Sequence, residues 1–311
     1  MPFLSLILIS LLIFSQDVVR QRPGSFSGNS AGTEITRENE SQLLESGKYG
    51  KLRQHPVKGE IKVVSYNIRY RSGKELSKLV DLLRADPEIG NATILGLQEV
   101  DRRKKRSGNA NTAKIIAEAL ELNYAWAAPP TAKPNQEEET GVAILSMYPL
   151  SDVRRIVLPH KGPDERRRVG IGATVKVLGT DVRVYSLHGE TRISVDKRLE
   201  QFKAVLEDLK SFPAAMPAIV LGDFNTWQPS ADDKTIKLFS NAGFHTPFNG
   251  QSTFRARALF IPIEFRLDWV WFRGIQVATH GIDRKIGLSD HWPLWVNGRL
   301  GAEKEPTAQQ K

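Results

Sequence analysis

The chain has 311 residues, 40% hydrophobic and 25% charged, a globular mixture long enough for a large core and unlike that of a disordered or fibrous chain. It contains no Cys, which excludes disulfides, thiolate metal sites and a cysteine nucleophile. Lys and Arg total 44 against 35 Asp and Glu, and the net charge of +9 favours an anionic partner such as nucleic acid, a phosphorylated metabolite or a lipid surface.

Residues 1–20 open with an apolar run from Phe3 to Phe14 that resembles the core of an export signal. The run is shorter than the about 20 residues of a membrane span. It is read as a signal peptide or an N-terminal membrane anchor, so the protein is expected to be exported (periplasmic or secreted) or anchored. Residues 21–57, rich in Gly, Ser, Asn, Glu and Arg, read as a flexible polar linker. Residues 58–300 form one dense folded domain, and residues 301–311 are a polar tail.

Within the domain, Ile61 to Asn67 reads as a strand, and Lys74 to Arg84 as a helix with Leu76, Leu79, Val80 and Leu83 on one face. Thr93 to Glu99 is a second apolar strand, followed by an amphipathic helix from Asn111 to Leu122. Gly141 to Ser146, Gly170 to Leu178 and Asp181 to Leu187 are further strands, the last ending on His188. A helix spans Ser194 to Leu209. The four apolar residues Ala218 to Leu221 then run into the turn Gly222-Asp223-Phe224-Asn225. Leu267 to Phe272 and Pro293 to Val296 complete the set, the latter preceded by Asp290-His291.

Asn67, Glu99, His188, Asp223 and Asn225 thus each sit where an apolar strand gives out, the place where open α/β folds carry their sites. Any one of them reads equally well as a turn cap or a satisfied structural residue. Their recurrence, joined by Asp268 and the Asp290-His291 pair, argues for a site. Acids, amides and imidazoles without thiolates suit a hard oxygen-ligated cation, Mg²⁺ first, with Mn²⁺ or Ca²⁺ as alternatives. Such a cation beside a His near neutral pKa points to phosphoester hydrolysis. No Walker-type Gly-rich loop is present.

The pieces Ser65-Tyr66-Asn67-Ile68, Leu97-Gln98-Glu99-Val100-Asp101-Arg102, Gly141 to Ser146, Leu187-His188, Gly222-Asp223-Phe224-Asn225, Arg266 to Val270 and Leu288-Ser289-Asp290-His291 together resemble the endonuclease/exonuclease/phosphatase superfamily in its bacterial form. This group includes DNase I, apurinic endonucleases, neutral sphingomyelinases and inositol-polyphosphate 5-phosphatases. The resemblance implies a DNase I-like fold, a four-layer α/β/β/α sandwich of two mixed β-sheets with flanking helices. It implies a catalytic set of His188, Asp223, Asn225, Asp268 and His291, with water activated by His291 or Asp223 and His291 oriented by Asp268. Metal binding falls to Asn67, Glu99 and Asp290, with Glu99 a direct ligand.

The expected activity is that of a metal-dependent endonuclease or phosphodiesterase on a phosphoester substrate, nucleic acid first. The alternative is an inositol-phosphate phosphatase or lipid phosphodiesterase at a membrane surface. No protein partner is expected. Arg102, in the run Arg102 to Arg106, and Arg168, in Arg166 to Arg168, are expected to contact phosphate. Trp227 is expected either to stack on a base or sugar or to pack in the core. Two departures stand out: His188 is followed by Gly189-Glu190, and the family's acidic element near the fourth strand is either replaced by Glu139 or absent, with Glu137 to Glu139 a solvated acidic run.

Overall fold

The computed structural model describes residues 43–50, 59–130, 139–258 and 261–301. The expected signal or anchor at residues 1–20, most of the 21–57 linker and nearly all of the tail lie outside the described residues. No helix among the described residues is long and apolar enough to cross a membrane.

Two sheets carry the domain. The first has seven strands: β1 (Leu44–Gly47), β2 (Glu60–Asn67), β3 (Ile94–Arg102), β4 (Asn123–Ala127), β5 (Glu139–Ser146), β13 (Ile275–Ile282) and β14 (Leu294–Leu300), in the spatial order β1-β4-β5-β3-β2-β14-β13. The second has five: β6 (Leu150–Val157), β7 (Val169–Val177), β8 (Thr180–His188), β9 (Ala218–Asp223) and β12 (Asp268–Arg273), ordered β12-β9-β8-β7-β6. A separate hairpin joins β10 (Phe254–Ala258) to β11 (Ile261–Phe265).

Each sheet holds a parallel pair near its middle, β2 with β3 and β8 with β9; the other pairings are antiparallel. A parallel pair needs a crossover. Helix α1 (Gly73–Ala85) supplies it in the first sheet, burying Leu76, Leu79, Val80 and Leu83 as the periodicity predicts. In the second sheet α3 (Val195–Leu209) does so, capped at its start by Ser194, whose side chain accepts from the Lys197 amide. Helix α2 (Thr112–Leu120) is capped by Asn111 and packs on β3 and β4. Helix α4 (Ala231–Asn241), carrying only Ala231, Thr235 and Phe239 as buried residues, lies beside α3. The four-layer arrangement expected from the resemblance is therefore present.

The facing sheets bury Val63, Ile94, Ile171, Val184, Ile219 and Leu221 between them. They approach so closely at Gly96 that a Cβ there would stand 1.9 Å from Leu221 Cδ1. Gln98 donates from Nε2 to Ser186 Oγ at 3.0 Å, a buried polar tie across the interface. Outside the second sheet, Phe202, Phe224, Phe239, Trp269 and Trp271 form a second core. The indoles of Trp269 and Trp271, which share one face of their strand, stack at 5.0 Å.

One boundary moves. Leu44–Gly47, placed by composition in the linker, pairs antiparallel with β4 at the edge of the first sheet. Its polar side chains conceal it: Glu45 accepts from the Tyr124 hydroxyl at 2.7 Å and from Arg102 at 3.2 Å.

Candidate active site

The carboxyl ends of both parallel pairs point to the same end of the sandwich, and the register sets Asn67 beside Gln98 and His188 beside Asp223. Glu99 follows Gln98 at a bulge, where Gln98 faces Val142 but Val100 faces Gly141. Its φ of 55° is left-handed, a strained conformation for a residue with a side chain. A bulge re-aims a side chain, and here it delivers the carboxylate to Asn67.

Asn67, fully buried, joins the two sheets. Its Nδ2 donates to Glu99 Oε1 at 3.2 Å and to Asp223 Oδ2 at 3.0 Å, while its Oδ1 accepts from the Arg69 amide. Two imidazoles flank the same Asp223 oxygen, His188 Nε2 at 3.4 Å and His291 Nε2 at 3.7 Å. Asn225, also left-handed at φ 53°, donates its amide N–H to Asp223 Oδ1 and its Nδ2 to the Gly189 carbonyl. It therefore braces the turn after β9 against the loop after His188.

Hydrogen-bond accounting fixes the tautomer of His291. The Thr253 hydroxyl accepts from the backbone N–H groups of Leu267 and Asp268, so its single proton goes to Asp268 Oδ2, at 2.7 Å. That carboxylate oxygen also faces His291 Nδ1 at 2.8 Å, and as an acceptor it requires a proton on Nδ1. The Nε2 edge is thereby turned toward Asp223. Phe254 packs edge-on against the imidazole at 4.9 Å.

The charges of the site follow from this packing. Burial disfavours protonated His291, but Asp268 and Asp223 outweigh burial and its pKa is raised. Burial pushes the Asp223 carboxyl up, only partly offset by His291. Glu99 is likewise raised by burial. His188 is held neutral, its pKa lowered by burial and by the neighbouring Arg168 and His291.

The remaining expected residues divide. Arg168 reaches the site, where it feels the charges of Glu99 and Asp223, and its Nε is held at 3.1 Å by the buried Glu190. Asp290 stands at the rim, half-buried and 3.3 Å from Arg69 Nη1. Trp227 is half-buried and donates its indole N–H to the Thr191 carbonyl at 3.1 Å, on the loop that follows His188.

Arg102 requires correction. Its guanidinium is buried over the Trp126 ring and chelated by Glu139 at 3.0 and 3.1 Å, so it is not presented to a phosphate. The same pair accounts for Glu139, which is structural. An Arg and an acid at the ends of facing strands satisfy each other before either reaches solvent. Thr253 and Glu190 were missed as site residues. Nothing in the sequence marks Thr253, whereas Glu190 stands two residues beyond His188.

A donor set of carboxylates, an amide and imidazoles fits a hard divalent cation. Two buried acids, Asp223 and Asp268, and the half-buried Glu99 converge here, and Asp268 Oδ1 has no hydrogen-bond partner. Asp223, Asp268 and His291 offer ligand atoms within 4.8 Å of one another. Asp268 Oδ2 and His291 Nδ1 already satisfy each other and Glu99 Oε1 accepts from Asn67, so the oxygens left without a hydrogen bond among the described residues are Asp268 Oδ1 and Glu99 Oε2, with Asp290 adjacent.

Fold and site together define a phosphoester-hydrolase architecture. The chain belongs to the Endonuclease/Exonuclease/phosphatase family, whose sequence model matches residues 64–291; its members are phosphoester hydrolases. A search of curated proteins finds no match. Among solved structures, an endonuclease/exonuclease/phosphatase from Beutenbergia cavernae is similar with TM-score 0.63 and 19% identity, over 79% of this chain and 72% of that one. The human Nocturnin catalytic domain with bound sulfate gives TM-score 0.59 and 19% identity, over 79% and 96%. ANGEL2, a 2',3'-cyclic phosphatase in complex with adenosine-2',3'-vanadate, gives TM-score 0.59 and 16% identity, over 81% and 99%. At these identities the likeness shows the fold.

Proposed function

We propose that the protein is a divalent-metal-dependent phosphodiesterase acting on nucleic acid. The observation that carries this reading is the cluster in which Asn67 joins Glu99 to Asp223, with His188 and the Asp268–His291 pair around the same Asp223 oxygen. The net charge of +9, and the adenosine-2',3'-vanadate held by the fold neighbour ANGEL2, support nucleic acid as the substrate class.

Glu99, with Asn67 and Asp290 beside it, would hold the cation, Mg²⁺ by the hardness of its donors. A bound divalent cation supplies positive charge to a phosphoryl oxygen and to the departing alkoxide. Asp223 takes the proton from the attacking water. Its raised pKa suits a general base near neutral pH, and Asn67 and the Asn225 amide fix its oxygens. His291, held protonated through Asp268, donates from Nε2 to the phosphoryl oxygens rather than acting as the base. Neutral His188 orients Asp223, and Arg168, steered by Glu190, balances phosphate charge.

The test is incubation of the purified chain and its Glu99→Ala variant with plasmid DNA, a single-stranded oligonucleotide, an inositol polyphosphate and sphingomyelin vesicles, with Mg²⁺ or with EDTA. Nucleic-acid cleavage that disappears in EDTA and in the variant is the expected result. Turnover of the inositol or lipid substrate alone would overturn the nucleic-acid assignment.

A further inference from the structure

The basic run after β3 was expected to act through Arg102, which is buried; Arg106, four residues on, lies in a different setting. Asp101, with a fully buried side chain, accepts from Arg106 Nε at 2.7 Å and Nη2 at 3.0 Å, from the Ser107 hydroxyl at 3.0 Å and from the Thr140 hydroxyl at 2.6 Å. This grip fixes the plane of the guanidinium, which lies 3.6 Å from the centroid of the Tyr70 ring. The Arg106 side chain remains 42% exposed, and its Nη1 has no hydrogen-bond partner among the described residues.

This stack adjoins the active site. The Tyr70 amide donates to the Glu99 carbonyl at 2.9 Å, and the Glu99 charge acts on Arg106. Arg69 and Tyr70 are consecutive left-handed residues, φ 47° and 46°, a conformation that persists only where the surroundings enforce it. The loop beneath Arg106 is equally constrained: its 3₁₀ turn, Lys105–Ser107, ends on Gly108, and the Arg103 amide closes on the Ala110 carbonyl.

We propose that Arg106, backed by Tyr70, is a stacking platform for the nucleobase next to the scissile phosphate; this rests on the nucleic-acid reading above. A base stacks on a guanidinium plane as it does on an aromatic ring, with Nη1 left to reach the adjoining phosphate. An inositol ring has no flat face to stack, and the quaternary ammonium of a zwitterionic phosphocholine headgroup is repelled by Arg106. The platform therefore selects nucleic acid among phosphoesters that the catalytic cluster alone does not distinguish.

The test is binding, measured by fluorescence anisotropy in EDTA at fixed ionic strength, so that no turnover intervenes. One probe is a labelled single-stranded deoxyoligonucleotide; the other has the same backbone with every base replaced by an abasic tetrahydrofuran. The wild-type chain is expected to prefer the base-bearing probe by about tenfold, the weight of one stacked base. Arg106→Lys keeps the charge and loses the plane. It should bring the preference below about twofold by weakening only the base-bearing probe, with the abasic probe serving as the folding control. Tyr70→Phe should retain the preference. An Arg106→Lys variant that keeps the preference, or weakens both probes equally, overturns the platform. If the wild-type chain binds both probes with equal affinity, the platform fails and the nucleic-acid reading stands. If it binds neither, both fail.

Discussion

Replacing Asp268 with Asn tests the reasoning about His291 most directly. The change is isosteric, but Asp268 Oδ2 accepts from both Thr253 at 2.7 Å and His291 at 2.8 Å, so the amide oxygen must take that place. The new NH₂ then falls where Oδ1 lies, a buried position with no partner. An unsatisfied buried donor costs about 1–3 kcal/mol. Exchanging two charge-assisted hydrogen bonds for neutral ones removes roughly another 1–2 kcal/mol, and relief of repulsion with Asp223 returns part of it. A net destabilisation of about 2 kcal/mol is expected, visible as a fall in Tm without loss of the fold. Turnover should suffer more. His291 loses the charge that keeps it protonated, and an imidazole that no longer offers a proton to the phosphoryl oxygens forfeits about 3–5 kcal/mol of transition-state stabilisation, or roughly 10²–10⁴-fold in kcat. The assay is hydrolysis of bis(4-nitrophenyl) phosphate, with KM followed separately, and an NMR titration of His291 in which its pKa should fall. A folded variant with kcat within threefold of wild type and an unmoved His291 titration would refute the argument.

Three further outcomes follow from geometry already described. Glu190→Gln removes the charge that holds Arg168 Nε at 3.1 Å; KM should rise about tenfold while kcat stays within threefold, and an unchanged KM would mean that Arg168 needs no such support. Asp208 accepts from Tyr185, Arg154 and Arg183, contacts that outweigh its burial and lower its pKa, so it stabilises the fold above its unfolded pKa of about 3.9 and ceases to do so as pH falls through the folded value. Asp208→Asn should therefore lower Tm most near pH 6–7 and coincide with wild type in acid, a pattern that thermal scans across pH will reveal. Gly96→Ala forces a methyl against Leu221 and should cost about 1–3 kcal/mol, while Leu221→Ala leaves a cavity and costs about 2–5 kcal/mol. In denaturant titrations the double variant should lose at least about 1 kcal/mol less than the sum, and strict additivity would deny the contact.

How far the fold was legible in the sequence depended on burial. The central strands β2, β3, β8 and β9 are covered on both faces and stand out as continuous apolar runs. The edge strands β1, half-buried, and β13, half-exposed, carry no such run, and β6 alternates Ser, Asp and Arg with apolar residues on a half-solvated face. Helix α4 buries too few side chains to show a stripe. Within the site, residues that end buried strands were recognisable because a polar group at the end of an apolar run needs a reason. What could not be read was pairing across the chain. Arg102 looked available until Glu139, far along the sequence, proved to sit on the neighbouring strand, and Thr253 acquires meaning only through the hydroxyl proton it gives Asp268.

The seam between the two sheets also sets when the protein becomes dangerous to phosphoesters. Asn67 and Glu99 arrive early in synthesis, His188 and Asp223 come from the opposite sheet, and His291 enters only just ahead of the last described strand. No fragment ending before His291 contains a complete set, and neither sheet alone holds both the acid at Glu99 and the acid at Asp223. The catalytic set is thus complete only when both sheets and the segment carrying His291 are in place together.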